Sequence, residues 1–565
     1  MMATLTDTQV VNIAAFLPQM ATERPHAPAI YYPEGRNASG RVLYSHYTYA
    51  QLNRHSDLIA AGLEQIGITR GTRTVLMVKP SLEFFALTFA IFKAGAIPVM
   101  VDPGIGIKNL GVCLGEAEPE AFIGIPRAHV ARVILGWARK SLQKHVTVGK
   151  KLFWGGHTLE DIKALGAQKP DWRMAPTTRD EMAAILFTSG STGIPKGVTY
   201  THGNFVSQVN AIRDMYDIRP GEIDLPTFPL FALFDPALGM TTVVPDMDFT
   251  KPAQVDPRKI AEAIEDFGIT NMFGSPALLN TVSRWGESTG TKFSTVRRVI
   301  SAGAPVPSVV LQRMSAMLPD DARIYTPYGA TESLPVASIS HREVLSETRA
   351  MTDVGKGVCV GFPVPTIDLK IIRITDEAIE NWSDDLLLPQ GEVGEIVVQG
   401  EVVTRSYFQR ENSTKLAKIR NADGSIRHRM GDVGYLDEKG RVWFCGRKSH
   451  RVVLPSGEPM FSCPVEAIFD THPAVFRSAL VGVKNAAGAT TPVLCVELEA
   501  DAKGTDTAAL FRELAAMAAK YPHTSHIVHW LVHPAFPVDI RHNAKIGREK
   551  LTVWAASQTL HEVRA

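Results

Sequence analysis

Short strands of β-branched and aliphatic residues alternate with amphipathic segments, and this alternation limits the architectures that the chain can adopt. Residues 72–78 (TRTVLMV) and 96–102 (AIPVMVD) have the composition of buried strands. Residues 49–67 and 81–95 have the periodicity of helices. Strand–helix–strand units are joined by right-handed crossovers and build largely parallel sheets. The sequence therefore predicts an α/β fold, and the same rhythm returns at residues 259–275 and 307–325.

The pattern of strands and turns in the sequence changes after about residue 391. Residues 391–400 (GEVGEIVVQG) and 440–448 (GRVWFCGRK) are typical of short antiparallel strands joined by glycine turns. Beyond Arg447 the chain has its own alternation of helix and strand patterns. We therefore expect a domain boundary near residues 447–450, which divides the chain into residues 1–447 and 448–565.

Composition narrows the classes of function. The 565 residues are 45% hydrophobic and carry a net charge of +1, which argues against a general binder of nucleic acid or anionic membranes but says nothing about local patches. Five cysteines without a C-x-x-C pair favour a reduced cytoplasmic setting, with most of them as small buried residues. The N-terminus lacks the features of a signal peptide, and the most apolar stretch, residues 84–92, is too short to span a bilayer.

A loop rich in glycine and hydroxyl residues, FTSGSTGIPKG at residues 187–197, follows an apolar strand. The P-loop of nucleoside triphosphatases requires glycine and then serine or threonine where this chain has Pro195 and Gly197, so the loop is not a P-loop. Glycines still let backbone N–H groups approach an anion, hydroxyls add donors, and Lys196 adds a positive charge. The loop therefore predicts a phosphate site without identifying the reaction.

This loop resembles the signature of the AMP-forming synthetases, the superfamily of acyl-CoA synthetases, luciferases and the adenylation domains of peptide synthetases. The other motifs of that superfamily follow in order and cover nearly the whole chain: KAGAIPVMVDP (93–103), SAGAP (301–305), YGATE (328–332), GDVGYLDEKGRVWFCGR (431–447) and NAKIGREKL (543–551). The resemblance implies a large N-terminal domain of αβ layers with a distorted β-barrel. It also implies a small α+β domain, residues 448–565, that moves between half-reactions.

The resemblance also assigns roles, with ATP and Mg²⁺ as cofactors. Tyr328 flanks adenine, Thr331 contacts the α-phosphate, and Glu332 holds Mg²⁺ together with Thr188. Asp432 binds the ribose hydroxyls and Arg447 also reaches the nucleotide. The catalytic set is Lys545, Thr188, Lys196 and Glu332. Further nucleotide contacts come from Ser189, Gly190, Ser191, Thr192, Gly193, Gly303, Ala304, Pro305, Gly329 and Ala330.

Elementary chemistry agrees with these roles. A carboxylate that attacks the α-phosphate of ATP brings several anionic groups together, which calls for backbone donors, a divalent metal and a cation near the developing charge. Each residue alone has a simpler explanation: Lys545 as a solvated lysine, Glu332 as a helix-capping partner, Asp432 as a turn residue. All of them together, in the order of the superfamily, favour adenylation.

Four departures from the superfamily pattern narrow the reaction. Ala232 stands where many acyl-CoA synthetases have a histidine, and Ser449 stands at the usual hinge aspartate or lysine. HRMGD (428–432) replaces Y-R-T-G-D, and Ala544 replaces glycine. These positions serve transfer to CoA in thioester-forming members. We expect Phe231, Ala232 and Phe234 to line the acyl pocket. The segment that contains them, residues 224–239, resembles the β-lactone synthetases of olefin biosynthesis, as do residues 536–551.

That second resemblance implies a 2-alkyl-3-hydroxy fatty acid as substrate and other olefin-biosynthesis enzymes as partners. Its carboxylate is adenylated, and its own 3-hydroxyl then displaces AMP to close a β-lactone. Holding the nucleophile beside the activated carbonyl removes the cost of binding a second substrate. The base for this step is open; His202 is one candidate, although a histidine there is more often structural.

Two other functions stay open: a medium- or long-chain fatty acyl-CoA synthetase, and a non-catalytic ATP- or AMP-binding module. Four histidines at residues 523–533 (HTSHIVHWLVH) suggest a metal site if the segment is helical. Its β-branched and aromatic residues favour a strand, which places the histidines on opposite faces and argues against a metal.

Overall fold

The structure, a computed structural model, describes residues 10–102, 105–187, 195–485, 488–538, 545–560 and 562–565. The phosphate-loop residues Thr188, Ser189, Gly190, Ser191, Thr192 and Gly193, and the substituted Ala544, lie outside the described residues.

The helices of the described residues are α1 (Phe16–Glu23), α2 (Tyr49–Gln65), α3 (Leu82–Lys93), α4 (Ile107–Ala117), α5 (Pro126–Leu135), α6 (Leu159–Gly166), α7 (His202–Tyr216), α8 (Asp235–Leu238), α9 (Pro257–Phe267), α10 (Pro276–Thr289), α11 (Ser308–Met317), α12 (His341–Glu343), α13 (Arg349–Thr352), α14 (Glu411–Ala417), α15 (Ser462–Phe469), α16 (Thr507–Ala518) and α17 (Arg548–Ala556). No helix within these described ranges has both the length and the apolar character needed to cross a bilayer.

The strands are β1 (Pro28–Arg36), β2 (Val42–Thr48), β3 (Arg73–Met77), β4 (Ile97–Val101), β5 (Ala121–Gly124), β6 (Lys144–Thr147), β7 (His157–Thr158), β8 (Met182–Phe187), β9 (Gly197–Thr201), β10 (Ile223–Pro226), β11 (Thr241–Val243), β12 (Asn271–Phe273), β13 (Arg298–Ile300), β14 (Arg323–Ala330), β15 (Ser333–Ser340), β16 (Val358–Pro363), β17 (Asp368–Ile372), β18 (Gly394–Gln399), β19 (Lys418–Arg420), β20 (Ile426–Leu436), β21 (Val442–Arg447), β22 (Val452–Val453), β23 (Pro459–Met460), β24 (Val475–Lys484), β25 (Thr490–Leu498) and β26 (His529–Val532).

The first sheet contains the strand–helix–strand unit that the sequence predicts. Its seven strands run in the order β7-β6-β5-β3-β4-β8-β9, and all pairs are parallel except β8 with β9. Helix α3 connects β3 to β4 and is buried along almost its whole length, because its residues are nearly all apolar. Strand β8 ends at Phe187, at the carboxyl end of a mostly parallel sheet, where α/β proteins commonly bind ligands.

The second sheet is long and changes character along its length. Its fourteen strands follow the path β17-β18-β20-β21-β16-β15-β14-β13-β12-β10-β11-β1-β2, with β19 paired to β20. The run from β11 through β10, β12 and β13 to β14 is parallel, and the strands from β14 to β17 are antiparallel. Pairing among the described strands leaves this path open, so the expected distorted barrel is here the antiparallel end of a continuous sheet.

The C-terminal residues have cores of their own. Strands β24, β25 and β26 form a three-stranded sheet, and β22 and β23 a two-stranded one. Apolar side chains between residues 452 and 563 form two clusters around this sheet and α15, α16 and α17. The segment with four histidines contains strand β26, as its composition predicts. Cysteines 113, 359, 445 and 495 are buried and Cys463 is half-buried, all as free thiols.

Candidate active site

A cavity of about 1940 Å³ brings together most of the sequence-predicted site residues that the structure describes. Its wall contains the polar side chains of Lys196, Thr331, Glu332, Arg447 and Lys545. The same wall contains a large apolar set from other elements, including Phe228, Leu230, Phe231, Leu233, Phe234 and Phe273. One cavity therefore combines charged groups suited to a nucleotide with a surface suited to an aliphatic chain.

The YGATE segment forms the tip of the antiparallel pair β14–β15, with Thr331 and Glu332 in the turn between the strands. The backbone of this turn is held from both sides. Tyr200 Oη donates a hydrogen bond to Thr331 O, and Thr404 donates to Glu332 O from its N (2.9 Å) and its Oγ1 (3.0 Å). A Cβ on Gly329 would lie 2.7 Å from Ser333 O, so this position requires glycine. The two side chains are thus presented by a rigid turn.

The carboxylate of Glu332 is positioned by an aromatic residue that sequence reasoning missed. Tyr407 Oη donates to Glu332 Oε1 at 2.7 Å, and burial together with Glu332 raises the pKa of this phenol. Lys196 Nζ lies 5.0 Å from the centroid of the Tyr407 ring, which places a cation over the ring face. Phe408 N donates to Gly197 O at 2.7 Å, so backbone pairing joins the end of the phosphate loop to this segment.

The donor set at Glu332 suits a magnesium ion. Mg²⁺ prefers carboxylate oxygens and keeps several waters, so a single protein carboxylate beside a substrate phosphate is a usual arrangement. Tyr407 supplies the one hydrogen bond to this carboxylate from the described residues, which leaves acceptor capacity on it. Nearby, Lys418 is buried and donates to Thr404 O. Burial lowers the pKa of Lys418 to about 7, and Glu332 opposes that shift.

Asp432 and Arg447 face each other across strands β20 and β21, where they are register partners. Asp432 is 3% exposed, its Oδ2 accepts a 2.7 Å hydrogen bond from Tyr328 Oη, and its Oδ1 lies 3.0 Å from Arg447 Nη1. Oδ1 has no hydrogen bond of good geometry from the described residues. Burial raises the pKa of Asp432, while Arg447, Tyr328 and Lys545 oppose the rise. An acceptor held in this way suits a ribose diol.

Lys545 reaches the site from the C-terminal part of the chain. It lines the cavity, and its positive charge opposes the rise in the pKa of Asp432 that burial causes. The residue after it, Ile546, pairs with Val538 in an isolated bridge. The predicted adenine-side loop is close by: Gly303 lines the cavity with a φ of 100°, a conformation that favours glycine. Ala304 is half-buried and Pro305 is exposed, and both stay predictions as nucleotide contacts.

Two of the three residues that we expect in the acyl pocket lie in the wall of the cavity. A short 3-10 segment, Phe231–Phe234, directs Phe231 and Phe234 into the cavity wall. Ala232 is fully buried in the core and is not part of that wall, because the tight turn points its methyl group away from the cavity. Phe273, at the end of β12, packs against Phe231 with ring centroids 4.4 Å apart. No sequence motif marks Phe273, so sequence reasoning missed it.

The predicted hinge residue lies directly after a firmly anchored lysine. Ser449 is the middle residue of the turn Lys448–His450 and lines the cavity. Lys448 Nζ forms a 3.1 Å ion pair with Glu395 and donates to Thr375 O at 2.8 Å. The chain is therefore fixed just before Ser449, as a pivot requires. Rotation about this position stays a prediction.

The structure does not support His202 as the base. Its side chain is fully buried, and its Nδ1 accepts a 3.2 Å hydrogen bond from Ile13 N. Burial lowers the pKa of this imidazole to about 4. His202 is absent from the cavity wall. It therefore fixes the first described residues against α7, which is a structural role.

Comparison with known proteins shows the family of the chain. The family model described as AMP-binding enzyme matches residues 17–408. The chain is 53% identical over 556 residues to the olefin beta-lactone synthetase of Xanthomonas campestris pv. campestris, with 98% of each chain covered. It is 54% identical over 555 residues to the olefin beta-lactone synthetase of Stenotrophomonas maltophilia, covering 97% of this chain and 98% of the other.

The fold is also that of solved adenylating enzymes. The crystal structure of ATP-bound MatB from Rhodopseudomonas palustris superposes with a TM-score of 0.74 at 21% identity, and covers 97% of this chain and 99% of the other. At that identity the likeness is one of fold: an α/β enzyme with a large N-terminal and a small C-terminal domain.

Proposed function

The chain belongs to the AMP-binding enzymes and, among them, to the family of the olefin β-lactone synthetases, and we propose that it converts a 2-alkyl-3-hydroxy fatty acid and ATP into a β-lactone, AMP and pyrophosphate. The observation that carries this proposal is the single cavity that joins Glu332, Arg447 and Lys545 to the aromatic wall around Phe231. A charged nucleotide and an aliphatic acid can meet there, which is what acyl adenylation requires.

In the first step a substrate carboxylate oxygen attacks the α-phosphorus of ATP, and the bond from this phosphorus to the bridging oxygen of pyrophosphate breaks. Asp432 holds the ribose, and Thr331 donates to the α-phosphate. Lys196 and Lys545 are cations that stabilise the charge developing on the phosphate oxygens. Glu332 and Thr188 would hold Mg²⁺, which neutralises phosphate charge when bound.

In the second step the 3-hydroxyl oxygen attacks the carbonyl carbon of the acyl adenylate. The hydroxyl proton passes to solvent water, the bond from this carbon to the phosphate oxygen breaks, and AMP departs with one of the original carboxylate oxygens. The nucleophile and the activated carbonyl belong to one molecule, so the role of the protein is to hold the chain in the conformation that closes the ring. The half-buried aromatic residues Phe231, Phe234 and Phe273 support this role.

The proposal is tested by incubating the full chain with ATP, Mg²⁺ and a 2-alkyl-3-hydroxy fatty acid, with and without CoA. We expect AMP and lactone in equal amounts and no response to CoA. The matched control is the same acid without its 3-hydroxyl, which should release about one pyrophosphate per enzyme and then stop. A thioester formed only with CoA would identify an acyl-CoA synthetase. ATP binding without AMP would identify a non-catalytic nucleotide-binding module.

Two further properties belong to this proposal. A reduced cytoplasmic setting and other olefin-forming enzymes as partners rest on the cysteine pattern and on family resemblance. Both can be tested on the native host by fractionation and by affinity purification of the tagged chain.

A further inference from the structure

One part of the chain is strongly basic although the chain as a whole is nearly neutral. Residues 121–159 contain seven lysines and arginines and no aspartate or glutamate, against a net charge of +1 for all 565 residues. They form strands β5, β6 and β7, helix α5 and the connections between them. Arg127, Arg139, Lys150 and Lys151 are exposed. The positive charge is therefore presented to solvent in one region.

The same region exposes large apolar side chains. Ile134 is 74% exposed and Phe153 is 73% exposed, and Leu135 and Leu152 are about half exposed. The loop that carries Phe153 lies against α5, because Trp154 stacks on His129 with ring centroids 5.1 Å apart. We call Ile134, Leu135 and Phe153, with Arg139, Lys150 and Lys151, the α5 surface. These apolar side chains lie at the end of one helix and on a loop that packs against the same helix, and larger exposed apolar patches mark sites of interaction.

The α5 surface continues into the wall of the active-site cavity. Arg127, Ala128 and Ala131 of α5 line the cavity, and because Arg127 is also exposed, the cavity reaches the outside of the molecule there. Ile134 and Leu135 follow Ala131 by three and four residues, which places them one turn farther along the same helix face. An aliphatic chain leaving the cavity at this point meets the exposed apolar residues directly.

We propose that the α5 surface docks on an anionic lipid bilayer, so that the cavity opens towards the membrane from which a long-chain hydroxy acid enters. This inference rests on the proposed function for the identity of the entering molecule. Lysine and arginine attract anionic headgroups, and apolar side chains at a helix end and a loop tip insert between them. A protein partner fits the surface less well, because lysine is depleted at protein–protein interfaces but lies readily at a membrane surface, with its stem in the apolar layer.

Flotation of the full chain with lipid vesicles tests the inference. We expect binding to vesicles of equal parts phosphatidylcholine and phosphatidylglycerol, weak binding to phosphatidylcholine alone, and release at high salt. The double variant Lys150→Gln/Lys151→Gln should lose about fivefold in partitioning per removed charge. The double variant Ile134→Ser/Phe153→Ser should bind the vesicles more weakly than the wild type, and a change of salt concentration should not restore its binding.

Matched control variants are Lys503→Gln/Lys520→Gln and Val553→Ser, which change exposed residues outside the α5 surface and should bind as the wild type does. All variants should form AMP from a short, water-soluble 3-hydroxy acid as the wild type does. This assay tests the proposed function independently of vesicle binding, so failure of the proposed function and failure of the membrane inference can be told apart. Equal vesicle binding by the wild type and the α5-surface variants would overturn the inference. So would an absence of vesicle binding, including the case in which the surface captures an acidic protein instead.

Discussion

Replacing Asp432, the carboxylate that we propose binds the ribose, is the sharpest single change that the geometry offers. In Asp432→Asn the side chain keeps its shape and its position on β20, but loses its charge and one of its two acceptor oxygens. The buried Oδ1 lies 3.0 Å from Arg447 Nη1 and lacks a hydrogen bond of good geometry from the described residues, and we propose that it accepts one from a ribose hydroxyl. A hydrogen bond to a charged group contributes about 1.5–3 kcal/mol. We therefore expect KM for ATP to rise about 10- to 150-fold.

The assay compares ATP with 2′-deoxyATP in pyrophosphate release by both proteins. The wild type should prefer ATP, and Asp432→Asn should lose most of this preference, since the group that detects the hydroxyl is altered. Tyr328→Phe is the control: it removes the 2.7 Å hydrogen bond to Asp432 but keeps the ring and both carboxylate oxygens, so the preference should persist. If Asp432→Asn discriminates between the two nucleotides as the wild type does, Asp432 does not bind the ribose.

Lys545→Ala should reduce pyrophosphate release at least about 100-fold with an unchanged melting temperature. The control Lys550→Ala, at an exposed neighbouring residue, should change neither pyrophosphate release nor melting temperature. Slow pyrophosphate release by a properly folded Lys550→Ala would argue against Lys545 as the catalytic lysine. Phe231→Ala should raise KM for a long-chain acid about 10- to 100-fold and leave KM for ATP unchanged, because one buried aromatic contact is lost; equal changes in both constants would contradict this. Burial raises the pKa of Asp224 to about 7 and that of Asp235 well above its usual range. A carboxyl whose pKa is raised on folding stabilises the protein fully at pH values below the pKa of the unfolded state. This stabilisation is lost as pH rises through the pKa of the folded state. The free energy of unfolding of Asp235→Asn, measured in urea, should therefore increase relative to that of the wild type by up to about 1.4 kcal/mol per pH unit between about pH 5 and 7. A difference between the two proteins that does not change with pH would refute the raised pKa.

Local sequence predicts the elements of this fold well because its strands and helices are strongly patterned. Helix α3 extends from Leu82 to Lys93 inside the predicted 81–95, and α2 fills most of 49–67. Strand β3 and strand β4 lie inside residues 72–78 and 96–102. The long second sheet could be predicted less well from the sequence, since its antiparallel end pairs strands that are far apart in sequence. Whether such strands close into a barrel depends on twist and register, which no local pattern reveals.

The candidate site was predicted where motifs mark it and missed where distant residues complete it. Glu332, Arg447 and Lys545 stand in separate motifs, and the structure brings them to one cavity. Tyr407, which positions Glu332, lies 75 residues beyond it in an unmarked loop. Ala232 shows the opposite case: its place in a family-like segment predicted that it lines the acyl pocket, but it lies in a single turn of 3-10 helix and is buried in the core. The orientation of a side chain in a short turn depends on tertiary packing.

The central claim is that the carboxylate is activated and the substrate's own hydroxyl closes the ring. Oxygen labelling tests it most directly. With ¹⁸O in both carboxylate oxygens and ATP unlabelled, the account predicts that each AMP carries one ¹⁸O and each lactone keeps one in its carbonyl. With ¹⁸O only in the 3-hydroxyl, all label should remain in the lactone ring. Label from the hydroxyl in AMP, with both carboxylate oxygens retained in the lactone, would show that the hydroxyl is activated instead and would contradict the account.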